Sequence, residues 1–531
     1  MAFLPWVRWE LIAALVAGFS LSRTVYRLYF HPLSKFPGPK LTAATGLYEI
    51  YHDVIRGGKF LWQIEKMHQK YGPIVRINPR EIHIKDPYFY DEIYVSGARK
   101  RNKDPNFVGL FGSPQSMIAT VDHDHHRFRR GILSRFFSKR SITELSPLIE
   151  RKVLRLMERL QGFREGKKEV DLSAAFAALT ADIITYYSYG ESFDFLDEEG
   201  FRSDVRNAIM ETEKLDHISR LFPSVLTIMR CVPLWVFRLV KPATAIMATI
   251  QKRVAEQSAK AIQHAGSRKS RGDLAATTFG MFDALTDPKI PPHERTLSRI
   301  HDEGMILLSG GTEPTANALT VAAFHIIQNE DIVLNMRAEL LSGPMYGNQT
   351  VTLAQLEQLP YLTGVVNEAL RLSHGLVIRS PRIALTEALR YNDYSIPAGT
   401  PVSMSSYFVH MDPSLFPDPS SFNPDRWIEA TKRGENLTRF ITSFSKGSRQ
   451  CVGTNLGYAE LYYTLAYLAT SFDYELFETT AKDIVVARDR GVSFPEKGHF
   501  TVKAKVVRVC RDPLENIQYG DGLPCIIHPA A

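Results

Sequence analysis

The rhythm of hydrophobic and polar positions changes repeatedly along this chain, and each change marks an element. Leu11 to Leu21 reads LIAALVAGFSL, without a charge. A bilayer span takes ~20 mostly apolar residues. Counting from Phe3 reaches that length by including Arg8 and Glu10, which lie near the end, where long side chains reach the headgroups. Phe36-Pro37-Gly38-Pro39 then ends any helix and predicts a stiff turn. After Tyr71-Gly72-Pro73 the alternation Val75, Arg76, Ile77, Asn78, then Ile82, His83, Ile84, Lys85, predicts a hairpin of half-buried strands.

From about 120 to 370 apolar residues recur three and four apart, as in Leu145, Leu148, Ile149, Val153, Leu154, Leu156 and Met157. This predicts long helices, one over Leu297 to Gln328 and one starting just after Pro360. A short turn before the latter carries a capping box at Thr352 and Gln355. The polar stretch Gly266 to Gly272 predicts an exposed connection. Strands return between 380 and 410, and four prolines make 412–427 a meandering loop. A helix over Leu456 to Ser471 and short strands to about Val509 close the pattern. The fold class is mainly α with minor β.

Composition adds limits. The apolar share is 44%, which excludes a disordered chain. Cys231, Cys451, Cys510 and Cys525 form no Cys-x-x-Cys pair, so no zinc ribbon or dithiol motif is available. No dinucleotide fingerprint, phosphate loop or His-Glu-x-x-His occurs. The net charge of +7 is mild. Its tightest basic run, Arg99 to Lys103, reads as a solvated loop, and no nucleic acid is expected as partner. Trp6, Trp9, Tyr26 and Tyr29 flank the first apolar run like interfacial anchors, and Arg23, Arg27, Lys35 and Lys40 follow it. The positive-inside bias puts the body in the cytosol. A cleaved signal peptide is the alternative. The expected organisation is a membrane anchor over 1–30, a proline-rich hinge over 31–40, a catalytic body over 41–510 and a tail over 511–531. The sequons at Asn348 and Asn436 stay unmodified in a cytosolic body.

Phe444-Ser-Lys-Gly447-Ser-Arg449-Gln-Cys451-Val-Gly453 carries the chemistry. Cys451 sits in a glycine-punctuated loop just before a helix, whose N-terminus lowers a thiol pKa. The glycines let backbone approach something large and flat. Arg449 supplies a cation suited to a carboxylate. A thiolate with such an arginine suits a haem iron, whereas a buried structural cysteine is the ordinary alternative.

The spacing F-x-x-G-x-R-x-C-x-G resembles the haem-binding signature of the cytochrome P-450 superfamily. The resemblance implies haem b with Cys451 as axial thiolate, Arg449 paired with a propionate, and Phe444 beside the sulfur. It extends from Phe36 to about Val509. The anchor, the Tyr26 to Leu33 run and the Pro-Gly-Pro turn are most similar to fungal microsomal members, so the endoplasmic reticulum membrane is the expected location. Glu368-Ala-Leu-Arg371 and Arg426, in the Pro-x-Arg segment, would form a buried structural network. Gly310-Gly311-Thr312-Glu313-Pro314-Thr315 resembles the oxygen-binding groove, where an acid–alcohol pair relays protons. Glu313 matches the acid and Thr315 the second threonine, while Pro314 replaces the first. Pro314 also frees the Gly310 carbonyl, which could hold a water.

Asp122-His-Asp-His-His126 invites a zinc reading, but adjacent helical residues point apart. The segment is more similar to the family's W-x-x-x-R, with His126 at the tryptophan. Arg130, His126 and, in Pro381-Arg382, Arg382 would contact propionates, and the remaining arginines would face an acidic redox partner. The eighty residues after Cys451 leave no room for a flavin domain. Electrons are therefore expected from NADPH through a separate cytochrome reductase, with cytochrome b5 as a second donor. The implied activity inserts one oxygen atom into a hydrophobic small molecule, in a pocket lined by 106–120, Leu308 to Gly311, Leu376 to Ser380 and Val492 to Phe494. A terpenoid or polyketide intermediate of secondary metabolism is the expected class, with a lean to the terpenoid. A haem-thiolate isomerase or dehydratase needing no electrons, and a non-catalytic haem-binding membrane protein, are the alternatives.

Overall fold

A computed structural model describes residues 4–97, 99–224, 242–268, 281–346 and 351–509. Cys231, Cys510, Cys525, Asn348, the tail and most of the connection expected at 266–272 lie outside the described residues.

The first helix runs Leu4–Val25 and continues as a wider turn over Tyr26–Phe30. Among the described residues only Trp9–Phe30 is long and apolar enough to cross a membrane, and none of it is buried. The hinge beyond it is not a loose tether. Leu33 and Phe36 enter the main core. Arg76 donates to the carbonyl of Arg27 at 2.8 Å, Arg27 donates to that of Ala44 at 2.8 Å, and the Arg76 amide donates to Pro37 at 2.7 Å.

Beside the hinge lies a sheet ordered Ile74–Arg76, Ile82–Ile84, Pro401–Ser403, Arg382–Ile383, Asn102–Lys103. The first two strands form the expected hairpin, with Val75 opposite His83. Both are wholly buried rather than half-buried. Their polar positions find partners inside: Arg76 reaches two carbonyls, and His83 meets His68 at 2.7 Å. Alternation therefore marked the strands but not their environment. A smaller sheet joins Glu169–Asp171, Lys503–Val509 and Phe472–Leu476, and a hairpin pairs Val486–Arg490 with Val492–Pro495.

The rest is helical. The central helix, Leu297–Gln328, has the predicted bounds because Thr296 caps it and Asn329 ends it. It packs against Leu172–Tyr189, Pro360–Ser373 and the cysteine helix, Thr454–Ser471. The crossing with Leu172–Tyr189 is close. A Cβ at Gly311 would sit 2.7 Å from Ile184 Cγ1, so only glycine fits there. Pro314 lies inside this helix without ending it. The Thr352–Gln355 capping box forms as expected. The loop expected over 412–427 is shorter than predicted, because a helix starts at Asp425 immediately after Pro424.

Candidate functional site

The cysteine loop is fixed on several sides. The Cys451 amide donates to the Phe444 carbonyl at 2.9 Å, and Thr454 Oγ1 donates to the Cys451 carbonyl at 2.9 Å. At Gly447 the chain turns with φ +74°, and a Cβ there would fall 2.2 Å from the Val95 carbonyl oxygen. Ser448 donates its amide to the same oxygen at 2.9 Å. Glycine thus lets the loop press against the backbone at 94–95.

Protein surrounds Cys451 on all sides, yet the residue keeps accessible surface. The two observations agree if the thiol faces interior space. Burial raises the thiol pKa, while the Gly453 amide and Arg130 pull it down. The Gly453 amide at the head of the following helix lowers the pKa as expected, and desolvation outweighs it. A thiolate at this position needs a stronger cation beside it, which a metal ion supplies.

Around the loop gathers a set of cationic groups. Arg449 donates to the carbonyls of Thr120 and Val121 at 2.6 Å and of Asp122 at 3.0 Å, while its Nε is buried without a partner. Arg130 donates to the Gln450 carbonyl at 2.6 Å. Arg382 donates to Ser380 Oγ at 2.8 Å and lies over the Tyr94 ring. His126 is buried and held neutral, its pKa pushed down to about 2 by burial and then by Arg449, Lys103, Arg130 and Arg382. Burial and Arg382 bring Arg449 down to about 9, and only Asp122 opposes them.

Lys103 completes the set, and sequence reasoning missed it. It is not in a solvated loop: Arg101 and Lys103 are both buried. Lys103 lies directly across the sheet from Arg382, its ammonium donates to the Ile118 carbonyl, and burial with Arg382 and Arg449 pushes its pKa well down. Like charges facing across a ladder are unfavourable. The strand alternation near Arg382 was the available signal. Buried cations that repel one another, beside a thiol facing interior space, fit a flat group with two carboxylates and a metal.

On the other side stands Glu313, 1% exposed. Its carboxyl meets Arg206 Nε at 3.4 Å, and Arg206 also reaches the Phe500 carbonyl at 3.2 Å and Asn317 Oδ1 at 3.4 Å. Burial raises the Glu313 pKa, and Arg206 opposes it. Arg206, on the helix Ser203–Glu213, is a second residue missed. Thr315 turns elsewhere, its Oγ1 lying 3.6 Å from where a Cβ on Gly457 of the cysteine helix would sit.

Behind the loop, Arg371 Nε meets Glu368 Oε1 at 3.0 Å and Arg426 Nε meets it at 3.1 Å. Trp427 Nε1 donates to the same oxygen at 2.9 Å, a fourth member not anticipated. Arg371 also donates to the carbonyls of His410 and Ser421. Every charge in the group is answered, as a buried network requires.

The Asp122–His126 cluster holds no metal geometry: among the described residues no group of three ligating side chains exists. Asp122 caps its helix, and His125 and Arg129 bind Glu294. Arg129 is therefore buried and does not face a partner. Of the expected pocket segments, Phe107, Leu110 and Ile378 form an apolar cluster, and Val377 and Phe494 are buried. Arg379 instead turns to Glu49 and Glu81.

A thiol loop on a cation set and a buried acid on a glycine-rich central helix, within a mainly helical body, fit a haem-thiolate protein. The family model for cytochrome P-450 matches residues 45–502, and the chain belongs to that family. It is a haem b-dependent, oxygen-incorporating oxidoreductase. Among curated proteins it is similar to the cytochrome P-450 monooxygenase TRI4 of Trichoderma arundinaceum, 46% identical over 89% of this chain and 90% of that one. The cytochrome P-450 monooxygenase astB of Aspergillus terreus is 44% identical over 92% of this chain and 95% of its own length. A conidiogenone synthase of Penicillium rubens is 45% identical over 93% and 98%.

Proposed function

We propose that this chain is an anchored monooxygenase of the endoplasmic reticulum that oxidises a terpenoid, with Cys451 as the iron's axial ligand. The carrying observation is the convergence of Lys103, Arg130, His126, Arg382 and Arg449 on the Cys451 loop. Arg130, Arg382, Arg449 and Lys103 would hold the two propionates. When bound, haem supplies reductive activation of dioxygen, its thiolate pushing electron density toward O–O cleavage.

This chain's residues do the rest. Phe444 offers its carbonyl to the Cys451 amide and packs near Gly457. The loop is thereby fixed before any ligand arrives. Glu313, its pKa raised by burial and opposed by Arg206, offers a carboxyl that could hold or release a proton. Apolar Leu110, Ile378, Val377 and Phe494 suit a hydrocarbon skeleton and exclude water. The relative named conidiogenone synthase favours a specialised small molecule over a general lipid.

Electrons would come from NADPH through a cytochrome reductase, with cytochrome b5 as second donor. Exposed Arg127, Arg135 and Lys139 offer an acidic partner a docking charge. The exposed helix Trp9–Phe30 supports an anchor.

Microsomes carrying the protein and a reductase, given a panel of cyclic terpene and polyketide precursors, test the reading. The expected result is an NADPH-dependent product one oxygen heavier than a terpene. Turnover that persists without NADPH would replace oxygen insertion with isomerisation or dehydration. Oxidation of polyketides alone would overturn the terpenoid assignment.

A further inference from the structure

The chain holds 22 tyrosines, and four of them fall within the 18 residues of the cysteine helix. Tyr458 with Tyr462, and Tyr463 with Tyr467, form two pairs, each four residues apart and so neighbours along a helical face. The pairs adjoin at the Tyr462–Tyr463 peptide bond. Their inner end touches the cysteine loop. The rings of Phe444 and Tyr458 lie 5.4 Å apart between centroids, and the Phe444 carbonyl accepts the Cys451 amide at 2.9 Å. Tyr458 stacks on Tyr462 at 6.3 Å, with ring planes 28° apart. Tyr462 and Tyr463 are buried. Tyr467, at the outer end, is half-buried, and so is Glu150 beside it on the helix Lys139–Glu165.

Packing alone asks only for rings at these positions, and phenylalanine would fill the same space. The hydroxyls differ in what they meet. Tyr462 meets Thr363 Oγ1 at 3.0 Å, and Tyr463 donates to the Val351 carbonyl at 3.2 Å. Neither partner is a base. Tyr467 donates to the Glu150 carboxylate at 2.5 Å. A phenol gives up an electron readily only when its proton has somewhere to go, because the oxidised phenol is a strong acid. A carboxylate in a charge-assisted hydrogen bond is such a place. A row of oxidisable rings that starts at the thiol loop therefore ends, near the surface, at the one member hydrogen-bonded to a carboxylate.

We propose that this row is an electron route that protects the haem site: when dioxygen is activated with no substrate in place, Tyr467 supplies an electron inward through Tyr463, Tyr462 and Tyr458. The Tyr467 O–H bond breaks, its proton passes to Glu150 Oε1, and Tyr467 is left as a neutral phenoxyl radical. The oxidising equivalent has thereby moved from the pocket to the surface. A soluble thiolate, glutathione's for example, returns one electron and becomes a thiyl radical, while Glu150 returns the proton. Tyrosine and carboxylate are restored, and the thiol is what has been oxidised. The inference rests on Cys451 holding haem and not on the substrate assignment.

The test uses the haem-loaded, full-length protein, whose thiolate-type Soret band is recorded first. A missing band ends the haem reading itself, before any oxidant is added. Peracetic acid then supplies the oxidant without reductase, NADPH or substrate. Rapid freezing and electron paramagnetic resonance should show a tyrosyl signal. It should lose most of its intensity in Tyr467→Phe and fall several-fold in Glu150→Gln and in Tyr462→Phe, with the melting temperature kept. Tyr88→Phe, at an exposed tyrosine outside the row, should leave it unchanged. During NADPH oxidation with reductase and no substrate, Tyr467→Phe should bleach its haem several-fold faster. Glutathione should slow bleaching in the parent and not in Tyr467→Phe. No tyrosyl signal in the parent, or a signal and bleaching rate indifferent to Tyr467→Phe, overturns the proposal. A lower melting temperature with an unchanged signal assigns the ring to packing and overturns it equally. Should Tyr467→Phe fail to fold, the Glu150→Gln and Tyr462→Phe signals decide.

Discussion

The two faces of the haem-binding region are built on opposite terms. On the cysteine side nearly every backbone group near Cys451 is committed: Phe444, Val95, Thr120, Val121 and Gln450 all accept hydrogen bonds that fix the loop or its arginines. On the central-helix side Pro314 cannot donate to the Gly310 carbonyl, and Glu313 Oε1 lacks a hydrogen-bond partner. The first face is over-determined and holds one geometry. The second keeps a buried acid held only by a long ion pair to Arg206 at 3.4 Å. A ligand site tolerates rigidity, whereas a relay needs groups with somewhere to send their hydrogens.

Breaking the committed face has the largest effect. Cys451→Ser should abolish the thiolate-type Soret band of the purified protein and all NADPH-dependent oxidation, read by absorbance and product analysis. A pigment and spectrum unaltered by that change would end the haem-thiolate assignment. Next comes the network behind it. Glu368→Ala leaves Arg371 and Arg426 buried without their counter-ion, and loss of one partner of such a group costs about 3–5 kcal/mol. Thermal unfolding should show it, or the protein should fail to accumulate. If stability is untouched, the network is not the brace described.

On the uncommitted face effects should be kinetic. Glu313→Gln keeps shape and removes the acid, so product formation should fall on the order of 10²-fold with stability preserved. A matched loss of melting temperature and activity would assign Glu313 a structural part through Arg206. Smallest is Lys103→Met. It relieves repulsion with Arg382 in the haem-free protein but removes a propionate partner from the loaded one. The haem-free form should therefore melt slightly higher, while haem retention weakens by about 1–3 kcal/mol, read by transfer to an acceptor globin. Equal shifts in both forms would dismiss Lys103 as a haem contact.

What could be read from the chain alone follows the range of the forces involved. The central helix was legible to its terminal residues because its cap and apolar spacing are local. The cysteine loop was legible because its glycines, arginine and thiol lie within ten positions. Lys103 was misread because its burial depends on pairing with a strand far along the chain. Arg206 and Trp427 escaped for the same reason: each acquires its partner only through packing. Alternation revealed the first hairpin but not that both its faces are covered. The helix end acts on the thiol in the expected direction, but burial, invisible in the sequence, dominates it.

The stapling of Arg76 to Arg27, and of Arg27 to Ala44, has a consequence for traffic. A body hung on a slack thread would sample every tilt against the bilayer, and its mouth would open to water as often as to oil. Here the last turn of the exposed helix is tied to the sheet through Arg76, so helix and body keep one relative angle, and a bilayer holding that helix would meet the body at a set tilt.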